Sequence, residues 1–186
     1  MLINSADTMK QIDAIHHLMR LDDREGTHVF TKSDLRAIFA DDEPALNAGI
    51  NRLVKSGVLQ RAVNGVYVNA LSPNRGGHTL EYIAAAMRRS EYSYVSLESA
   101  LSEYGVISQI PMVMTVMTTG RRGDYETPYG VIEFTHTARP TPDVINGTVD
   151  AGRPLRLATK QTAYRDLKRV GRNLDLVDEE ALHEED

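Results

Sequence analysis

Asn47, Asn51, Arg52 and Lys55 recur at intervals that gather them on one side of an α-helix, with the small Ala48 among them. Their side chains suit the edges and backbone of a DNA duplex. An Asn amide pairs bidentately with adenine N6 and N7, an Arg guanidinium with guanine O6 and N7, and a Lys neutralises phosphate. Arg61 and Asn64 flank the Asn64-Gly65 step just downstream, and Arg61 joins Lys55 as a phosphate partner. Upstream, Lys32 and Ser33 stand where a helix should begin, and amide hydrogens left free there also attract phosphate. A merely solvated helix face, or a module that only contacts other proteins, would also be polar. The weight falls on DNA because residues 44–80 contain Arg52, Lys55, Arg61 and Arg75 and no carboxylate at all.

The elements that must carry these residues follow from periodicity. Met9, Ile12, Ile15, Leu18 and Met19 predict a helix over about 8–20, capped by Asp7 or Thr8 and ended by the acidic run 22–26. Val29 and Phe30 suffice for a short strand. Thr31-Lys-Ser-Asp34 reads as a capping box opening a helix that buries Leu35, Ile38 and Phe39. Pro44 suits a first helical turn and Gly57 a left-handed stop, so a third helix spans about 44–56, with Leu46, Ile50, Leu53 and Val54 inward. Asn64-Gly65 between two β-rich runs then signals a hairpin. Helix, strand, helix, short turn, helix, hairpin is the order of a winged helix-turn-helix, which the segment 8–70 resembles.

Charge is unevenly spread along the 186 residues, whose formal net charge is −5. Residues 1–43 carry net −4, 44–80 net +4, 81–174 net +2 and 175–186 net −7. The acidic total therefore hides a basic centre, and it does not argue against nucleic acid. With no Cys, a disulfide framework, a thiolate metal site and a Cys nucleophile are excluded. No apolar run is long enough for a membrane span and the first ten residues lack a signal-peptide pattern, so a cytoplasmic protein without a membrane partner is expected.

Residues 71–77, with Pro73, Gly76 and Gly77, read as a linker. The expected organisation is α+β: a winged helix-turn-helix domain over 1–72, a mixed α/β domain with an antiparallel hairpin over 78–174, and a mobile acidic tail over 175–186. In the second domain, helices are predicted at about 79–89 and 96–104 with a short β-run at 92–95 between them. Met112–Thr118 and Gly130–His136 are expected to pair antiparallel, with Arg121 and Arg122 at the tip between them. Residues 137–154 read as loop with one short strand at most. A last helix over about 158–171 buries Ala163, Leu167 and Val170, and sets Arg165, Lys168, Arg169 and Arg172 in a basic stripe. That stripe and the Arg121-Arg122 pair are candidate phosphate or partner contacts, though a solvated surface explains them as well. The six histidines lack metal-ligand spacing, and no phosphate loop, nucleophile elbow or paired catalytic acids stand out, so no metal, cofactor or catalytic residue is expected.

Four runs carry a family resemblance: Tyr94-Val-Ser-Leu-Glu-Ser-Ala-Leu101, Tyr104-Gly-Val-Ile-Ser-Gln-Ile110, Val116-Met-Thr-Thr-Gly-Arg-Arg122 and Thr127-Pro-Tyr-Gly-Val-Ile-Glu-Phe134. With the winged helix they resemble the AbiEi family, the antitoxins and transcriptional regulators of type IV toxin-antitoxin systems. The resemblance spans about residues 8–170. It implies an N-terminal domain that represses its own operon by binding inverted repeats as two or more copies, and a C-terminal domain opposing a nucleotidyltransferase-like toxin whose effect is countered without necessary direct contact. It carries over Ser96, Glu98, Ser99, Arg121, Arg122 and Glu133 as family positions without assigning their roles. The alternatives are a small nucleic-acid-processing enzyme and a regulator without antitoxin activity.

Overall fold

The computed structural model describes residues 5–39 and 42–184, with side chains described from residue 11 onward except Phe39. The first helix begins at Ser5, so Asp7 and Thr8, expected to cap it, lie inside it, while the side chains of Met9 and Phe39 and the last two residues lie outside the described residues. The chain is a mixed α+β protein that divides into two compact units, Met1–Thr79 and Leu80–Asp186.

In the first unit, α1 (Ser5–Glu25), β1 (Val29–Thr31), α2 (Lys32–Phe39) and α3 (Glu43–Lys55) precede a hairpin of β2 (Leu59–Val63) and β3 (Val66–Asn69). The acidic run expected to end α1 lies inside it, because Asp22 faces inward and accepts from Ser72 Oγ at 2.8 Å and Asn74 Nδ2 at 2.7 Å. Gly26, at φ +64°, makes the exit instead. The capping box at α2 is reciprocal: the Thr31 amide donates to Asp34 Oδ2 at 2.8 Å and the Asp34 amide to Thr31 Oγ1 at 3.2 Å. The three strands form an antiparallel sheet in the order β1-β3-β2. Leu18, Phe30, Leu35, Leu46, Ile50 and Leu53 fill the core that fixes α3 against the sheet and helices.

The second unit opens with α4 (Thr79–Met87), β4 (Ser93–Val95) and α5 (Leu97–Glu103). Next come β5 (Val113–Thr118), β6 (Gly123–Thr127), β7 (Gly130–His136), α6 (Thr141–Asn146), β8 (Thr148–Val149), β9 (Arg156–Ala158) and α7 (Lys160–Val170). A single 3₁₀ turn (Leu174–Leu176) and α8 (Glu179–His183) complete it. The six-stranded sheet has the order β6-β7-β5-β4-β9-β8. Helix α5 packs on β5 and α7, over buried Leu101, Val116, Ile132, Phe134 and Leu167.

Three expectations are corrected here. Residues 113–118 and 130–136 are parallel neighbours, not an antiparallel pair. The chain leaves β5, runs along the outer edge as β6, and turns back as β7 to slot between them, so the antiparallel hairpin is β6–β7. Its turn is Thr127–Gly130, where Thr127 Oγ1 donates to the Gly130 carbonyl at 2.8 Å. Arg121 and Arg122 therefore belong to the β5–β6 loop rather than to a hairpin tip. Residues 137–154, expected to be loop with one short strand at most, contain that strand as β8 and also the helix α6. Finally, the acidic end, expected to be a mobile tail, includes α8 among its described residues: Leu182 is buried, and Lys160 Nζ donates to the carbonyls of Ala181 and Glu184 at 3.3 and 3.0 Å. A composition dominated by carboxylates conceals Leu182 and the buried cation Lys160 that dock it.

No helix of the described residues is long and apolar enough to cross a membrane.

Candidate nucleic-acid interface

Asp42 caps α3 by accepting the Ala45 amide at 2.9 Å, and Pro44 occupies its first turn. At the other end Gly57, at φ +75°, lets the Val58 amide return to the Leu53 carbonyl at 3.0 Å. With Leu46, Ile50 and Leu53 buried, the opposite face of α3 must point outward. Asn47, Ala48, Asn51 and Lys55 are exposed there, and no carboxylate among the described residues pairs with Lys55. Arg52 sits apart from this group. It is half-buried, and its Nε is shielded from solvent without a hydrogen-bond partner among the described residues.

The Asn64-Gly65 turn is held beside the start of α2, because the Lys32 amide donates to the Gly65 carbonyl at 2.8 Å. That bond uses one of the helix-start amides expected to be free for phosphate, and the capping box uses the Asp34 amide. Arg61 and Asn64 are both exposed and joined, Arg61 Nη2 donating to Asn64 Oδ1 at 2.6 Å, so the turn presents one pre-oriented guanidinium. Lys32 and Arg36 pair with Glu43, which lies one residue before the acid-free stretch. Those two cations, Lys32 first, hold the Glu43 carboxyl below its ordinary range. Ser33 is exposed at the same helix start. The exposed side of α3 thus gathers two Asn amides and Lys55, the β2–β3 turn presents Arg61, and Lys32 is partly neutralised by Glu43.

In the second unit, the expected basic stripe is divided. Arg165 and Lys168 are exposed, with Lys168 over the Tyr164 ring at 5.2 Å. Arg169 Nη2 donates to the His136 carbonyl at 2.9 Å. Arg172 leaves the stripe altogether, because Gly171 ends α7 in the left-handed conformation at φ +75°. Its Nε and Nη2 donate to the two carboxylate oxygens of Glu98 at 2.7 and 3.1 Å, and Nη2 also lies 2.8 Å from Glu133 Oε1. Asn173 Nδ2 adds a further bond to Glu98 Oε1 at 2.8 Å. Burial pushes the Glu98 carboxyl up, yet Arg172, the backbone and Asn173 together hold it below its ordinary value. The Arg172 guanidinium is correspondingly raised, first by its bonds to Glu98. Exposed Arg121 and Arg122 border a shallow concavity with His136, and Arg122 shares a second, of about 530 Å³, with Arg169 and Arg172.

No family model matches the chain, and no curated protein matches it significantly.

Two clusters lay beyond the reach of sequence reasoning. The Glu98–Arg172–Glu133 bridge joins α5, the end of α7 and β7 across 74 residues of chain. Asp166, fully buried, accepts from Ser96 Oγ at 2.8 Å and Tyr94 Oη at 3.1 Å and lies 2.6 Å from Arg139 Nη2. Burial first, then the Asp166 charge, pushes the Tyr94 hydroxyl well above its ordinary value, so it stays a donor. The available signal was Asp166 itself, an acid three residues after Ala163 on the inward side of an otherwise basic helix. Among the described residues no three His, Asp or Glu side chains gather as they would to hold a metal ion.

Proposed function

We propose that the first unit is a winged helix-turn-helix that binds double-stranded DNA, with α3 in the major groove and the β2–β3 turn on the flanking backbone. The observation that carries this reading is the exposed face of α3, where Asn47, Ala48, Asn51 and Lys55 stand together with no acid among them. Polar amides and a small side chain suit close approach to base edges, and a lysine at the helix end suits phosphate. Lys32, Ser33, Arg61 and Asn64 are the supporting backbone contacts. Arg52, with its Nε shielded, contributes charge more than base recognition. The operator half-site is accordingly read through adenine and thymine, with Ala48 against a thymine methyl.

On this reading the protein is a cytoplasmic, sequence-specific repressor that binds inverted repeats in its own promoter as two or more copies. The resemblance of the second unit to AbiEi proteins extends the proposal to a type IV antitoxin acting against a nucleotidyltransferase-like toxin, with no catalytic role and no cofactor of its own. A gel shift comparing DNA from upstream of its own gene with a scrambled duplex tests the repressor half. Equal affinity for the two refutes it. Rescue of growth on co-expression with the neighbouring gene's product tests the antitoxin half, and failure of rescue leaves a regulator alone.

A further inference from the structure

A pocket of about 320 Å³ lies in the second unit, between the start of α5, the 107–113 segment, β5, β7 and the 3₁₀ turn after α7. Its walls are apolar: Ile107, Pro111, Met112, Val113 and Leu176. Glu98, Glu133, Arg172, Asn173 and Gln109 supply its polar groups. Two carboxylates and one guanidinium leave this set with one net negative charge.

The accounting of donors and acceptors sharpens that charge into chemistry. Both oxygens of Glu98 are occupied by Arg172 and Asn173. Glu133 spends Oε1 on Arg172 and Thr135, while Oε2 has no partner among the described residues. Asn173 uses its amide nitrogen on Glu98 and keeps its carbonyl oxygen. Gln109 likewise has no side-chain partner among the described residues. The unspent groups are therefore mostly acceptors, in a pocket with a negative balance and an apolar wall. An anion would meet an arginine already bound by two carboxylates and a carboxylate oxygen still bare. A cation carrying several N–H donors would meet the opposite.

We propose that this pocket binds a guanidinium group on a short apolar stem, with Glu133 as its charge partner and the stem along Met112 and Leu176. The same chemistry belongs to a free alkylguanidine and to an arginine side chain presented by a polypeptide. Exposed Met112 at the rim offers the stem further apolar surface. The site stands independently of the DNA-binding face, so neither depends on the other.

The test is ligand-observed NMR titration of the full chain with three near-isosteric probes: n-butylguanidinium, neutral n-butylurea and anionic pentanoate. The expected order is guanidinium first, urea at least about tenfold weaker, and pentanoate not bound, with tenfold marking about 1.4 kcal/mol. Glu133→Gln should weaken n-butylguanidinium by about tenfold or more. Met112→Lys, at an exposed rim position, should do the same by repulsion. N-acetyl-argininamide identifies the source: tighter binding than n-butylguanidinium points to a presented side chain, weaker binding to a free guanidine. Urea binding as well as guanidinium, any preference for pentanoate, no binding of n-butylguanidinium, or indifference to both substitutions overturns the proposal.

Discussion

Substituting Asn51 by Ala tests the proposed base recognition most directly. Asn47 and Asn51 are four residues apart on α3, so about 6 Å separates them along the helix axis, close to two base-pair steps of about 3.4 Å. Each exposed amide is thus spaced to address its own adenine. Loss of one bidentate contact should cost about 1–3 kcal/mol, roughly 5- to 140-fold in affinity. The assay is fluorescence anisotropy on the promoter half-site, with each adenine replaced in turn by 7-deazaadenine, which lacks the N7 acceptor. Wild-type protein should lose affinity at the adenine facing Asn51, and Asn51→Ala should lose no more when that same adenine is altered. Arg52→Ala serves as the contrast: it should weaken the selected and the scrambled duplex alike, because its Nε is shielded. If Asn51→Ala weakens both duplexes equally, or Arg52→Ala alone relaxes specificity at a guanine, the assignment of base readers on α3 is wrong.

Lys55→Ala and Arg61→Ala should each weaken binding to all sequences and reduce the slope of log K against log salt by about one, measured by titration at several salt concentrations. Asp166→Ala should destabilise the second unit by about 3–5 kcal/mol in urea unfolding followed by circular dichroism, since it strands Arg139 with the Tyr94 and Ser96 hydroxyls; a loss under about 1 kcal/mol would refute the role of this cluster. Glu98, depressed in the fold, stabilises above the ordinary carboxylate pKa, and that contribution fades as pH falls through its lower folded value. The Glu98→Gln protein should accordingly be less stable near neutrality and show a shallower decline on acidification. For the acidic end, Glu179→Gln with Glu180→Gln should raise DNA affinity at low salt and lose the effect as salt is added, whereas deleting residues 175–186 should also lower stability by removing Leu182 and the partners of Lys160.

What was legible in the sequence is what local chemistry decides. The capping box at Thr31–Asp34, the Asn64-Gly65 turn and the apolar face of α3 each depend on neighbours within a few residues, and each forms as its pattern suggests. The failures share the opposite property. Strand β6 reads Gly-Asp-Tyr-Glu-Thr, because an edge strand needs little apolar surface and tolerates charge. It was therefore passed over, and with it went the register: once β6 is missed, β5 and β7 look like two arms of one hairpin instead of parallel neighbours. A helical wheel placed Arg172 among the exposed cations, but one left-handed glycine at 171 ends the helix before it. The arginine then turns toward two glutamates far away in sequence. The same logic accounts for the acidic end, where Leu182 is buried and distant Lys160 and Val106 hold the backbone around it.

This division bears on the sites themselves. The residues proposed to face DNA are nameable because one helix and one turn present them, and only the pairing of Lys32 and Arg36 with Glu43 and the withdrawal of Arg52 need the fold. The Glu98–Glu133–Arg172 pocket has no contiguous signature at all. Its negative balance exists because a residue assigned by periodicity to a basic stripe is taken up by two carboxylates, leaving one oxygen of Glu133 bare. Charge summed along the chain therefore described neither surface correctly. A segment total of +2 over residues 81–174 contains an acceptor-rich, net negative cavity, just as the total of −5 contains an α3 face without an acid. If Glu133→Gln and Asn51→Ala each abolish their own ligand and spare the other's, the two units carry separate recognition chemistries that no whole-chain property could have distinguished.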